Sequence, residues 1–99
     1  MRYAIKLTEK ARQDLRRLYA YMLDRDEQAA SRALEAITSS MAVLRQFPFT
    51  CRKAGGDDPL LRELLVPFGS SGYIVLFKID GKDSVTIAAV RHQREDDYH

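Results

Sequence analysis

Tyr3, Ile5 and Leu7 alternate with Arg2, Ala4 and Lys6. A period of two predicts a short strand with one buried face over residues 3–7. Thr8 is then a helix N-cap, and Glu9 suits the positive end of the helix dipole. Ala11, Leu15, Leu18, Tyr19, Met22 and Leu23 recur at helical spacing and predict a helix over residues 9–23. Asp24-Arg25-Asp26 breaks the pattern, and Asp26 caps a second helix. Its apolar stripe is Ala30, Ala33, Leu34, Ile37, Met41 and Leu44, and Pro48 ends it. So short a linker predicts an antiparallel helical hairpin, and Ala29, Ala30, Ala33 and Ala36 let the two helices approach closely.

Beyond Pro48 the pattern changes. Residues 48–59 read as a loop holding Arg52 and Lys53, with turn signals at Gly55-Gly56-Asp57-Asp58-Pro59. Residues 60–66 read as a strand, although their apolar content also permits a helix; residues 67–72 read as a turn, and residues 73–79 as a strand rich in β-branched and aromatic side chains. Asp80-Gly81-Lys82-Asp83 is a hairpin turn, and residues 84–90 form the last strand. The order β-α-α-β-β-β predicts an α+β two-layer sandwich, with the helical hairpin on a mainly antiparallel four-stranded sheet. Residues 1–99 then form a single domain, with no repeat or low-complexity segment. Tyr73, Val75, Phe77 and Ile79 share one face of the central strand, and Ile74 and Leu76 share the other. The second face is too apolar for open water, so either the sheet curls over a small second core or a partner covers it.

The composition is that of a soluble globular chain, at 45% hydrophobic and 30% charged. No apolar run has the length of a membrane span, and residues 1–6 lack the core of a signal peptide, so the expected compartment is the cytoplasm. A single cysteine excludes an internal disulfide and fits a reducing environment. The net charge is only +2, but residues 2–17 carry six bases against two acids. That bias marks either a solvated helix face or a surface for nucleic acid or an acidic protein.

Candidate chemistry is sparse. No metal-ligand spacing, phosphate loop or convergent carboxylate pair is present, and no cofactor is expected. A nucleophile pair of Cys51 with His92 or His99 is conceivable, but a lone cysteine beside Thr50 and Arg52 is more often inert. The last strand runs into Arg91-His92-Gln93-Arg94-Glu95-Asp96-Asp97-Tyr98-His99, which holds both histidines of the chain. Arg91, His92, Arg94, Tyr98 and His99 are the residue types that RNA cleavage needs: proton carriers, and cations for phosphate. The same segment also suits a binding surface.

These features resemble the RelE/ParE superfamily of bacterial type II toxins. The resemblance spans essentially the whole chain. Its supporting stretches are Leu7-Thr8, Asp14-Leu15-Arg16, Arg62-Glu63-Leu64, Tyr73-Ile74-Val75-Leu76-Phe77-Lys78-Ile79 and Val90-Arg91-His92-Gln93-Arg94-Glu95. The run after the last strand looks like the ParE branch. That branch implies a toxin that inhibits DNA gyrase, traps its cleaved DNA complex and is no enzyme itself. A ParD-like antitoxin would neutralise it in a heterotetramer or larger complex, and this chain alone would bind no specific DNA sequence. The expected target-binding residues are Arg91, His92, Gln93, Arg94, Glu95 and Tyr98, joined by Arg52, Lys53 and Arg62. The expected antitoxin contacts are Leu15, Leu18, Tyr19, Met22, Ile74 and Leu76. The RelE branch implies instead a ribosome-dependent mRNA endonuclease, for which Arg91, Tyr98 and His99 would be catalytic.

Overall fold

The structure, a computed structural model, describes residues 2–95. Strand β1 (Ala4–Leu7) leads into helix α1 (Glu9–Leu23) and helix α2 (Glu27–Gln46). A single 3₁₀ turn (Pro48–Thr50) follows, then β2 (Arg52–Lys53), β3 (Leu61–Phe68), β4 (Ser71–Asp80) and β5 (Ser84–His92). Both helix starts are capped as the sequence implies. The Thr8 hydroxyl accepts the Ala11 N–H at 3.1 Å, and Asp26 Oδ1 accepts those of Gln28 and Ala29 at 2.9 and 3.2 Å. Each such cap is worth about 1 kcal/mol.

The five strands form one sheet in the order β1-β5-β4-β3-β2. The first strand lies parallel to the last, with Ala4 opposite Ser84 and Leu7 opposite Ile87, while β2 to β5 form an antiparallel meander. The sheet therefore has five strands rather than the expected four. The extra one, β2, lies inside the predicted loop, where Arg52 and Lys53 pair with Glu63 and Arg62. A two-residue strand of charged side chains has no apolar alternation to betray it.

The helical hairpin packs on one face of the sheet. Ala11, Leu18, Ala33, Ile37, Met41 and Leu44 meet Val66, Tyr73, Val75, Phe77, Ile79, Val85, Ile87 and Val90 in a single core. Leu23 and Leu34, expected on the apolar stripes, are instead exposed. On the other face Ile74 and Ala89 are buried and Leu76 is half-buried, flanked in register by Leu65, Glu63 and Arg91. That face is partly covered by the protein's own side chains, and Leu65 stands out from it at 44% exposure.

All three long strands run further than expected. β3 passes through Pro67, whose missing N–H faces the outer edge of the sheet. β5 continues through Arg91 and His92 because Ile74 and Tyr73 pair with them. The β3–β4 turn is correspondingly tight, and Gly72 sits where backbone crowds backbone: a Cβ there would lie 2.2 Å from the Val66 carbonyl oxygen. We expect Gly72→Ala to lower stability by about 2 kcal/mol or more, read as a fall in urea midpoint at unchanged slope. An unchanged midpoint would mean that the hairpin has room to spread.

Candidate functional site

β5 extends five residues past Ile87, where its parallel neighbour β1 ends. An unpaired buried N–H costs about 1–3 kcal/mol, so the exposed edge needs other partners. Helix α1 and the residues after β5 supply them. The Thr8 hydroxyl donates to the Ala88 carbonyl at 3.0 Å. Asp14, only 4% exposed, accepts the Val90 N–H on Oδ2 at 2.9 Å. The Glu95 carboxylate, folded back, accepts the His92 N–H on Oε1 at 2.8 Å and the Arg17 guanidinium on Oε2 at 3.0 Å. Lys10 at 3.2 Å and Arg17 at 3.7 Å balance the buried Asp14 charge.

A bulge decides which side chains face which way. Leu76 pairs with Ala89 but Phe77 pairs with Ile87, so Ala88 is an extra residue on β5. Before it, Val85 and Ile87 point into the core; after it, Val90 and His92 do. His92 thereby turns toward the helices and Arg91 toward the open face. The Arg91 guanidinium donates to the Glu95 carbonyl at 2.5 Å, which ties the end of the strand to the turn that follows.

On the helix side, a cleft of about 610 Å³ lies between α1, the β3–β4 turn and the end of β5. Leu18, Met22 and Tyr73 make it apolar within, while Arg17, Ser71, His92, Arg94 and Glu95 bring polar groups to it. The His92 ring meets Tyr73 edge-on at 5.4 Å between centroids. His92 Nδ1 accepts the Arg94 backbone N–H at 3.1 Å, so the ring proton sits on Nε2. Nε2 faces Ser71 Oγ at 3.1 Å, and the hydroxyl oxygen accepts. In this arrangement the imidazole cannot take a proton from Ser71, and the pair is no activated nucleophile. Desolvation pushes the His92 pKa below 6.5; the Arg94 charge adds to this and Glu95 opposes it. Burial also raises the Tyr73 phenol.

The expected target-binding residues divide between two places. His92, Arg94 and Glu95 line the cleft, Arg91 lies on the reverse face, and Gln93 N–H extends the ladder to the Gly72 carbonyl at 2.9 Å. Tyr98, and with it His99, lies outside the described residues. Arg52 and Lys53 are not brought to this corner. They stand on β2, three strand steps from β5, or about 14 Å at roughly 4.8 Å per step. Arg62 donates to the carbonyls of Pro59, Phe49 and Cys51 at 2.8, 3.2 and 2.9 Å and so fastens a loop. Cys51 is separated from His92 by β3 and β4, and burial raises its thiol pKa, so the two form no catalytic pair. Among the described residues no cluster fits a metal ion.

Of the expected antitoxin contacts, Leu18 and Ile74 are buried within the monomer, whereas Leu15, Tyr19, Met22 and Leu76 retain partial exposure. Sequence reasoning missed Arg17, Ser71 and Tyr73 as cleft residues and Asp14 as the cap of β5. One signal was available: Asp14 lies four residues after Lys10 and three before Arg17, on one helix face.

A family model described as the ParE toxin of the type II toxin–antitoxin system parDE matches residues 5–97. Two curated toxins of Caulobacter vibrioides are similar over nearly their whole length. Toxin RelE3 is 35% identical over 92 residues, covering 93% of this chain and 96% of the relative. Toxin RelE1 is 28% identical over 95 residues, covering 96% and 98%. The fold is shared with the chromosomal ParDE toxin–antitoxin system from P. aeruginosa, at a TM-score of 0.72 and 21% identity over 91% of this chain and 95% of that one. It is shared too with the toxin–antitoxin complex RelBE2 from Mycobacterium tuberculosis, at 0.60 and 23% over 94% and 100%.

Two measurements check the corner. Asp14→Ala leaves the Val90 N–H buried without an acceptor and should lower stability by about 2 kcal/mol; Asp14→Asn, which keeps an acceptor oxygen, should lower it less. Equal losses would assign the effect to charge instead. By NMR, His92 should titrate below 6.5, moving up in Arg94→Ala and further down in Glu95→Gln. Since the unfolded chain then binds the proton more readily than the folded one, this group's contribution to stability falls as pH drops through 6.5.

Proposed function

The chain belongs to the ParE toxin family of type II toxin–antitoxin systems, and from that membership we propose that it acts on DNA gyrase, holding the enzyme with its DNA cleaved. The observation that supports binding rather than catalysis is the state of His92. Both its ring nitrogens are engaged by the protein itself, and desolvation, with the Arg94 charge, disfavours its protonation. A ring so held presents a fixed shape and moves no proton. The end of β5 and the turn to Glu95, braced by Arg17, then serve as the recognition corner.

A cognate ParD-like antitoxin neutralises the toxin in this reading, in a heterotetramer or larger complex, within the cytoplasm. The two structural relatives from toxin–antitoxin systems support an antitoxin partner. On this chain Leu65 offers it both an exposed side chain and, past the end of β2, a strand edge to pair with. Among the described residues no helix is long and apolar enough to cross a membrane.

A second reading is mRNA cleavage on the ribosome, with Arg91, Tyr98 and His99 in catalytic roles. Arg17 and Arg94 beside the cleft favour it, because an anionic substrate needs such cations, and so do the two relatives named RelE.

Gyrase supercoiling and ribosome-dependent mRNA cleavage, run side by side with the purified protein, test the two. The expected result is blocked supercoiling with accumulated cleaved DNA; cut mRNA with untouched gyrase would reverse the assignment. Truncation after His92 should abolish growth arrest while antitoxin binding persists. Loss of antitoxin binding in that truncation would make the tail a neutralisation site.

A further inference from the structure

At the far end of the molecule from the β5 corner, Arg45-Gln46-Phe47-Pro48-Phe49-Thr50-Cys51-Arg52-Lys53 connects α2 to the outer edge of the sheet. The segment holds three cations and no acid. Its two phenylalanines are the first and third most exposed large hydrophobic side chains of the described residues, Phe47 at 58% and Phe49 at 52%. Phe has no polar tip, so rings left this open are available for contact.

The turn that carries the rings is held rather than loose. Pro48 between them is fully buried and anchors the 3₁₀ turn. The Thr50 hydroxyl donates to the Phe47 carbonyl at 2.7 Å, and Cys51 N–H closes on the Pro48 carbonyl at 3.3 Å. Arg62 bonds the carbonyls on either side of Thr50, and its guanidinium lies 5.5 Å from the centre of the Phe49 ring. Cations surround this platform. Arg52 is paired with Glu63 at 3.0 Å. Arg45 and Lys53 have no charged partner among the described residues, and nor has Arg2, which the Tyr3 N–H bond to the Arg45 carbonyl at 2.6 Å brings near Arg45.

We infer that this platform binds single-stranded nucleic acid without reading its sequence, with unstacked bases laid on Phe47 and Phe49 and phosphates on Arg45, Lys53 and Arg2. A single strand offers planar rings and anions side by side, and the segment sets two planar rings between cations. The rings project from the turn and line neither the β5-end cleft nor the small recess in the helix–helix seam, which suits stacking better than reception of a partner's helix. The inference does not depend on whether gyrase or the ribosome is the toxin's target, since it is argued from the platform alone.

The test is fluorescence anisotropy of the full-length protein with labelled oligothymidine and oligouridine of about 15 nucleotides. Saturable binding is expected with one or both, and whichever binds tighter identifies the source. The log–log salt slope should be about −2, from three phosphates released at roughly 0.7 each. Phe47→Leu with Phe49→Leu keeps the apolar character and removes the rings; it should weaken binding at least about fivefold per ring. Arg45→Gln with Lys53→Gln should flatten the salt slope, whereas Arg32→Gln, a charge loss at the other end of α2, should not. Thermal melting of each variant confirms that these exposed substitutions leave the fold intact. Absence of binding to either oligonucleotide at about 50 mM salt overturns the inference. Parent-like binding by the leucine variant overturns it as well, since charge alone would then account for the contact. If the leucine variant instead loses the antitoxin and neither oligonucleotide binds, the platform is a protein contact.

Discussion

A strand that outruns its neighbour leaves backbone donors facing nothing, and the upper end of this protein is organised around that one constraint. β1 stops at Leu7 because Thr8 must start a helix, while β5 continues to His92 because β4 is long enough to pair with it. The missing neighbour is replaced by side chains. Asp14 takes the Val90 N–H, Thr8 donates to Ala88, and Glu95 takes the His92 N–H. The magnitudes rank these partners. A buried donor left unsatisfied costs about 1–3 kcal/mol, whereas an exposed ion pair such as Arg17–Glu95 contributes about 0–1. Asp14 therefore holds the corner together, and Arg17 orients the turn that follows.

The Ala88 bulge converts that structural necessity into a site. A regular strand would put residues 85, 87, 89 and 91 on one face, leaving Arg91 in the cleft and His92 on the open side. The extra residue exchanges them. An imidazole hydrogen-bonded at both nitrogens then faces the cleft, and the guanidinium crosses the opposite face to the Glu95 carbonyl. What the corner presents is thus set by one inserted alanine and one buried carboxylate.

The layers and their order were legible because the core follows plain periodicities. Apart from Leu23 and Leu34, the helical stripes and the core face of β4 fall where 3.6-residue spacing and alternation put them, and both N-caps were written in Thr8 and Asp26. The parallel pairing of first and last strands was not legible, since no local pattern records which edge a strand joins. β2 was missed because two charged residues carry no pattern. The bulge did leave a trace: core residues at 85, 87 and 90 break the period of two at Ala88-Ala89. The corner at the end of β5 was legible as a dense cluster of ionisable groups, but not the contacts within it. Arg52, Lys53 and Arg62 looked like its companions only because sequence shows charge without place; the sheet carries them to another edge, where Arg62 is spent on carbonyls.

Charge makes the same argument about place. The basic bias of the first seventeen residues suggested a binding helix, yet Lys10 and Arg17 are drawn to Asp14, Arg16 to Glu9, and Arg17 again to Glu95. With those pairs formed, most of the charge on that helix face is neutralised locally. A net +2 for the whole chain likewise produces little long-range field. Attraction for an anionic partner has to come from cations left unmatched within about a Debye length of each other. Arg45 and Lys53, unmatched among the described residues, flank a turn that a buried proline and Arg62 brace. Rigidity matters as much as charge, because a backbone already braced loses little further entropy when a partner settles on it.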